Sequence, residues 1–224
     1  MLRLASASPR RIELLRTLGL PFEVIPSAVD ESRVASPAAA KADAVMRPGR
    51  VTLAADTEVE LGGARLGKPR DGGHAMTMLA DLAGRTHEVR TEVVVVSASG
   101  ARLAFAVRTR VALRALARRD IERYVAGGEP YDKAGAYAIQ GEGRRLVERI
   151  EGCFANVTGL PLCHAYGALR RAGVVPAERP EVACQAHFDL ACPVWRAARR
   201  QGRTLRSGAE YASWSDDVSG RRGV

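Results

Sequence analysis

Residues 2–20 read LRLASASPRRIELLRTLGL, an apolar strand that passes through a serine-rich turn directly into an amphipathic helix. Pro9 suits the first helical position, where its missing N–H costs nothing, and Ser8 suits the N-cap before it. Apolar residues then recur at helical spacing from residue 12 to residue 18, and Gly19 ends the helix. This stretch predicts a strand–turn–helix unit whose helix packs against a sheet.

Further strand and helix patterns alternate along most of the chain. The apolar or β-branched runs at 51–55, 88–96 and 103–113 predict strands, and several of the segments between them have helical spacing. The pair Gly62-Gly63 predicts a hairpin turn. Such an alternation predicts an α/β fold with a mixed, twisted sheet flanked by helices.

The composition is that of a globular protein: 224 residues, of which 46% are hydrophobic. This length is typical of one domain with an extension. The sequence contains no apolar run of about 18 residues and no secretory leader pattern, so we expect neither a membrane-spanning helix nor export. Without a secretory context, the four cysteines are expected to be reduced thiols in a cytoplasmic protein.

The net charge of +9 raises the alternative of a basic module that binds RNA or DNA. However, acidic residues are interleaved with the basic ones along the chain, and only 5% of the residues are aromatic, which leaves few stacking platforms. The charge suits a small polyanion such as a nucleotide equally well. We therefore predict a nucleotide ligand and no nucleic-acid or membrane partner.

Lysine is nearly absent from the sequence. Only Lys41, Lys68 and Lys133 are lysines, and the other 31 basic residues are arginines. A lysine that persists against such a bias is a candidate for a position where a compact ammonium is required and a planar guanidinium is not equivalent. The alternative is that three lysines remain by chance.

The turn between the first strand and the first helix is a candidate phosphate site. Ser6, Ser8, Arg10 and Arg11 cluster there, and a helix N-terminus offers free N–H groups and a favourable dipole. The alternative is an ordinary capped surface helix. No GxxxxGK[ST] loop occurs, which disfavours a P-loop enzyme.

Two carboxylates follow predicted strands: Asp56 ends the run at 51–55, and Glu31 ends an earlier one. Carboxylates at strand ends commonly face the crevice in which α/β proteins bind ligands. They can hold Mg²⁺ or deprotonate a water molecule. The alternative for each is a turn or capping residue.

A zinc site is the remaining alternative among the polar clusters. Cys184, His187 and Cys192, with Cys163 or His164, supply zinc-binding side chains. The spacing C-x₂-H-x₄-C is not a known zinc pattern, and a second CxxC pair is missing, so this alternative is disfavoured.

Four long segments of the sequence resemble the Maf family of nucleoside triphosphate pyrophosphatases. They occur in the family's order and together span most of residues 2–171. The segments are LASASPRRIELLRTLGLPFEVIPSAVDES (4–32), AADTEVELGGARLGKPRDGGHAMTMLADLAGRTHEVRTEV (54–93), ERYVAGGEPYDKAGAYAIQGEG (122–143) and IEGCFANVTGLPL (150–162).

The resemblance implies an inosine-triphosphatase-like fold with a central cleft, dependence on Mg²⁺ or Mn²⁺, and a homodimer. It implies an enzyme that removes nucleoside triphosphates from the nucleotide pool, with Asp56 as proton acceptor and Glu31 and Asp56 as metal ligands. Together with the lysine argument, it gives these substrate-binding residues: Ser8, Arg10, Glu31, Lys41, Thr57, Lys68, Lys133 and Gln140.

The resemblance also implies a substrate branch. The chain has no residue inserted between Pro9 and the paired arginines, Thr57 after Asp56, and Gln140 between Ile and Gly, all as in the branch that acts on dTTP and UTP. The branch that acts on 7-methylguanosine triphosphate has Asp-Gln and Ser-Glu-Gly at the last two places.

The resemblance divides the chain into a pyrophosphatase domain, 1–175, and a C-terminal extension, 176–224. We expect the extension to be partly disordered, with one short helix at 193–200 and a frayed end. Its role is unknown. One further alternative comes from the family's older description as septum-formation inhibitors, namely a nucleotide-binding regulator of cell division without significant catalysis.

Overall fold

The structure is a computed structural model that describes residues 1–212. Its strands are β1 (Leu2–Leu4), β2 (Phe22–Val24), β3 (Val51–Leu61), β4 (Ala64–Leu66), β5 (Thr86–Val96), β6 (Arg102–Leu113), β7 (Val147–Glu151) and β8 (Ala209–Ala212). Its α-helices are α1 (Pro9–Arg16), α2 (Pro37–Val45), α3 (Gly72–Leu82), α4 (Arg118–Ala126), α5 (Phe154–Thr158), α6 (Leu162–Arg171), α7 (Pro180–Phe188) and α8 (Trp195–Arg203). None of the helices described in residues 1–212 is long and apolar enough to cross a membrane.

The eight strands form one mixed sheet, in the order β2-β1-β3-β5-β6-β7, with β4 paired to β3 and β8 paired to β6. Strand β1 is parallel to both of its neighbours, and β5 is antiparallel to both of its neighbours, β3 and β6. The predicted α/β fold with a mixed sheet flanked by helices is confirmed. The predicted hairpin at Gly62-Gly63 joins β3 to β4.

The side chains of β3 alternate between the two faces of the sheet, as in any strand. Leu53 and Ala55 lie in a core under α1 and α6, and Val59 lies in a second core under α3 and α4. Ala54 lies on the opposite face, in a third core that includes residues of α2. Residues 56–58 therefore occupy the junction between the packed regions.

Two predicted placements of carboxylates are wrong in detail. Asp56 does not end a strand, because β3 continues to Leu61 through its pairing with β5. It lies instead just beyond the point where β1 stops pairing with β3, at Leu53. Glu31 begins a single turn of 3₁₀ helix, well after β2 has ended at Val24.

The described part of the C-terminal extension, residues 176–212, packs against the rest of the chain. Cys184 and Leu205 are buried in the core under α1 and α6, and β8 adds a parallel strand to β6. Helices α6 and α8 approach each other very closely: a Cβ atom at Gly167 would lie 2.0 Å from the carbonyl oxygen of Gly202. The helix predicted at 193–200 is present as α8. The sequence did not predict α7 and β8. The predicted frayed end lies outside the described residues.

Candidate active site

A cleft with an empty volume of about 860 Å³ opens beside β3, between α1, α2 and the segment that links α4 to β7. The cleft brings together all nine residues predicted from the sequence: Ser8, Arg10, Glu31, Lys41, Asp56, Thr57, Lys68, Lys133 and Gln140. The three lysines of the protein thus lie around one cleft, although they are far apart in the sequence.

Lys41 connects the two carboxylates of the cleft. Its ammonium lies 2.7 Å from Oδ1 of Asp56 and 2.7 Å from Oε1 of Glu31. The side chain of Lys41 is only 8% exposed and that of Asp56 12%, whereas Glu31 is 49% exposed. Lys41 lies on helix α2. The N-cap of this helix, Ser36, accepts a hydrogen bond from the amide of Ala39 and so stabilises the helix that carries the lysine. The result is a partly desolvated carboxylate with a fixed donor beside it.

Arg11 joins α1 to β3 and to the loop after α5. Its Nε donates to the carbonyl oxygen of Gly159 at 2.9 Å, and its Nη2 donates to Oγ1 of Thr57 at 2.9 Å. The hydroxyl of Thr91 donates to the carbonyl of Asn156, so the 3.0 Å contact between the two threonines is a bond donated by Thr57. The orientation of Thr57 is therefore fixed on both sides.

Burial lowers the pKa of Arg11, and the nearby negative charges of Asp56 and Glu31 oppose this shift. A guanidinium remains charged in proteins despite such a shift. Arg11 thus places a positive charge at the base of the cleft, next to the Asp56–Lys41 pair.

The N-terminus of α1 lines the cleft beside this arginine. Pro9 is at the first helical position, as predicted, and Ser8 has the extended backbone of an N-cap. Its side chain makes no capping hydrogen bond, so the hydroxyl remains available to a ligand. With Arg10 and the helix dipole, this turn has the properties of an anion site.

The opposite wall is the irregular segment between α4 and β7. Lys133 is only 13% exposed on it, and its ammonium donates to the carbonyl of Glu129 at 2.7 Å and lies 2.5 Å from Oδ1 of Asp132. Gln140 follows on the same wall and faces the cleft. The wall therefore combines a held cation with an amide side chain.

Lys68 differs from the other two lysines, because it is exposed on the loop between β4 and α3. Within residues 1–212 it has no hydrogen-bond or ion-pair partner. A free ammonium at the rim of a basic cleft is well placed to contact a phosphate.

We expect Lys68→Arg to lower kcat/KM by about tenfold even though the charge is conserved, because a wide planar fork does not reproduce a compact donor in this loop. Steady-state kinetics on a nucleoside triphosphate, the substrate class that the family resemblance implies, would measure the effect. Arg70→Lys is the matched control, since Arg70 is two residues away and does not line the cleft. Wild-type turnover by Lys68→Arg would show that either cation serves there.

Three polar residues of the cleft were not predicted from the sequence: Asp132, Tyr137 and Thr158. Arg11, which also lines the cleft, belongs to the predicted phosphate-binding turn. Tyr137 lines the cleft directly after Ala136, which has a left-handed backbone with φ of 58°. Hydrophobic periodicity does not predict such a change in backbone direction.

The donor set of the cleft fits a magnesium-type cation. Mg²⁺ commonly takes one or two carboxylates and completes its shell with water and substrate phosphates. Glu31 and Asp56, which share one ammonium as a neighbour, supply those two carboxylates. Within residues 1–212, no group of three or more His, Cys, Asp or Glu side chains is arranged to hold a metal ion.

Residues 1–172 match the sequence model of the family described as Maf-like protein. A dTTP/UTP pyrophosphatase of Anaeromyxobacter dehalogenans is 50% identical over 190 residues, which cover 79% of this chain and 97% of that protein. One of Moorella thermoacetica is 50% identical over 183 residues, covering 76% and 94%. A crystal structure of a nucleoside-triphosphatase, a dITP/XTP pyrophosphatase, from Mycobacterium abscessus is 18% identical, covers 50% of this chain and 73% of its own, and has a TM-score of 0.34.

Proposed function

This chain belongs to the Maf-like protein family, and from that premise we propose that it is a nucleoside triphosphate pyrophosphatase that hydrolyses dTTP and UTP. Relatives at 43–50% identity carry the name dTTP/UTP pyrophosphatase. The observation that carries the proposal is the cleft itself, in which a partly buried carboxylate faces an anion-binding helix end and three lysines. The alternative of a regulator without catalysis is not favoured.

In the proposed reaction, the cations of the cleft bind the triphosphate and Asp56 accepts a proton from a water molecule. The water oxygen forms a bond to the α-phosphorus, and the bond from that phosphorus to the bridging oxygen breaks. Pyrophosphate leaves with the bonding electrons, and the nucleoside monophosphate remains. Phosphoryl-type transfers of this kind depend mainly on positioning and on charge stabilisation.

We also propose that the enzyme uses Mg²⁺ or Mn²⁺, held by Glu31 and Asp56. When bound, the cation neutralises phosphate charge that the lysines and arginines leave uncompensated. Lys41 donates to both carboxylates and keeps them together. Addition of EDTA should abolish turnover, and addition of Mg²⁺ should restore it.

The base is proposed to be selected by Arg10, Thr57 and Gln140. The amide of Gln140 offers one donor and one acceptor, which match the carbonyl and N3–H edge of thymine or uracil. A glutamate at this place would only accept hydrogen bonds, which suits the N–H groups of a guanine instead. A site built on such hydrogen bonds rejects a mismatched base, because polar groups are left unpaired.

A screen of all common and modified nucleoside triphosphates with Mg²⁺ tests this proposal. We expect hydrolysis of dTTP and UTP well above that of dCTP, GTP and 7-methyl-GTP, detected as pyrophosphate release. A preference for the methylated purine would overturn the branch assignment and leave the family unchanged.

Gln140→Glu should lower kcat/KM for dTTP by about tenfold or more, since one donor to the base is lost and a charge is added. Any residual activity on 7-methyl-GTP should fall less. Inhibition by pyrophosphate is the internal control, because this product has no base. Equal losses on both nucleotides would remove Gln140 from base selection.

We further propose that the enzyme is a cytoplasmic homodimer that binds neither nucleic acid nor membrane. The four cysteines are free thiols, three of them buried, which suits a reducing compartment. Size-exclusion chromatography with light scattering tests the dimer. Titration with single-stranded DNA at low salt tests the absence of nucleic-acid binding.

A further inference from the structure

The segment that carries Gln140 is held from behind by two side chains outside the cleft. Tyr124, on α4, is 7% exposed, and its hydroxyl accepts a hydrogen bond from the amide of Ala138 at 3.1 Å. Glu129, which begins a 3₁₀ helix, accepts a hydrogen bond on Oε2 from the amide of Gly143 at 2.8 Å. The two bonds therefore fix the backbone on either side of Gln140.

Both side chains line the same cavity behind the segment. Burial, together with the nearby carboxylate of Glu129, raises the pKa of Tyr124. Tyr124 and Glu129 thus act as a clamp on the two ends of one bend, with Tyr124 bonded to the amide of Ala138 and Glu129 bonded to the amide of Gly143.

The backbone in the clamp leaves almost no room for another arrangement. Gly141 has φ of 62°, and a Cβ atom there would lie 2.2 Å from Oε1 of Glu129. A Cβ atom at Gly143 would lie 2.3 Å from the carbonyl oxygen of Ala138. Gly143 is therefore required for the close approach of the backbone at residue 138, and any side chain at Gly141 would displace the carboxylate of Glu129.

The clamp reaches the cleft through two connections. The backbone carbonyl of Glu129 accepts a hydrogen bond from Lys133, which lines the cleft. Gln140 lies between the two clamped amides and also lines it. Tyr124 and Glu129 themselves line a separate cavity on the other side of the segment, so neither contacts a ligand in the cleft.

We propose that Tyr124 and Glu129 are positioning residues that set base selectivity by fixing residues 138–143, and with them the amide of Gln140. This inference rests on the proposed function, because it assigns a source of selectivity to the same cleft. The clamp acts on the base end of the nucleotide. The helix end and Asp56 act on the phosphates and are supported by other elements.

The test uses Glu129→Gln, an isosteric change that removes the negative charge from the group that accepts from the amide of Gly143. The matched control is Glu142→Gln, which removes the same charge from the same segment; Glu142 is 68% exposed and paired with Arg145. In Glu129→Gln we expect the ratio of kcat/KM for dTTP to that for GTP to fall about tenfold, mainly through a higher KM for dTTP. Inhibition by pyrophosphate should change by less than about twofold.

Hydrogen exchange supplies a readout that does not depend on activity. The amides of Ala138 and Gly143 should exchange faster in Glu129→Gln and in Tyr124→Phe, and at the wild-type rate in Glu142→Gln. Unchanged exchange and unchanged selectivity in both clamp variants would overturn the inference. Equal loss of dTTP and pyrophosphate binding would also overturn it. If the wild type does not prefer dTTP or UTP, the proposed function fails, and the exchange rates still decide whether the clamp exists.

Discussion

Replacement of Asp56 by asparagine should lower turnover by about 100-fold or more while the protein remains folded. The asparagine keeps the size of the side chain and an oxygen that can accept from Lys41, which lies 2.7 Å away in the wild type. It cannot take a proton from water, and the proposed reaction requires that step. Pyrophosphate release measured at saturating dTTP and Mg²⁺ gives the ratio of rates.

The matched control for this change is Glu58→Gln, two residues along the same strand. Glu58 points to the same side of the sheet but does not line the cleft, and its carboxylate pairs at 2.9 Å with Arg65, which is 62% exposed, so the pair contributes little to stability. We expect near-wild-type turnover in the control. A folded Asp56→Asn protein with comparable activity would show that another group deprotonates the water.

Truncation after residue 175 should destabilise the protein by several kcal/mol. It removes Leu205, which is 2% exposed, and uncovers Leu169 and Phe105, which are buried in the same core. Full burial of one such side chain contributes about 1.5–3 kcal/mol, and the total stability of a domain is about 5–15 kcal/mol. Urea unfolding followed by circular dichroism would measure the loss as a lower midpoint.

A chain that ends after Ala212 is the control, because it keeps α7, α8 and β8. We expect the loss of stability and a tendency to aggregate only in the shorter chain. If the chain of residues 1–175 unfolds at the full-length midpoint and keeps its activity, the extension is dispensable for the fold. That outcome would favour the division at residue 175 as a true domain boundary.

The central part of the fold was predictable because its signals are local. Helix α1 begins at Pro9 as expected, and α3 begins after its N-cap, Asp71, whose carboxylate accepts from the amide of His74. Long β-branched runs predicted β5 and β6 to within two residues. Helix α4 begins at Arg118, and Asp120 lies in its first turn, where a negative charge is favourable.

Elements that depend on distant partners were not predictable in the same way. β8 has only four residues, and it is a strand because it pairs with β6. Helix α7 has a weakly amphipathic sequence, and it packs through small side chains such as Cys184. Neither segment carries a periodicity that would separate it from a loop.

For the cleft, the most informative signal was the scarcity of lysine. Lys41, Lys68 and Lys133 come from three separate elements, and all three line the same cleft. Composition does not predict how buried each lysine is or which groups it pairs with. Lys41 is buried between two carboxylates, whereas Lys68 is exposed. The clamp behind Gln140 was also hidden, because Tyr124 and Glu129 belong to an ordinary helix end and turn in the sequence.

The position of β8 has a consequence for biosynthesis. The residues that line the cleft lie between 8 and 159, so they leave the ribosome before the strand that covers the edge of β6. At about 5–20 residues per second, translation of the remaining segment takes roughly 3–10 s. During that interval the nascent chain has a nearly complete cleft but an unpaired strand edge, which is prone to pair with other chains. Slow translation of the last part of the gene would therefore increase aggregation without altering the mature enzyme.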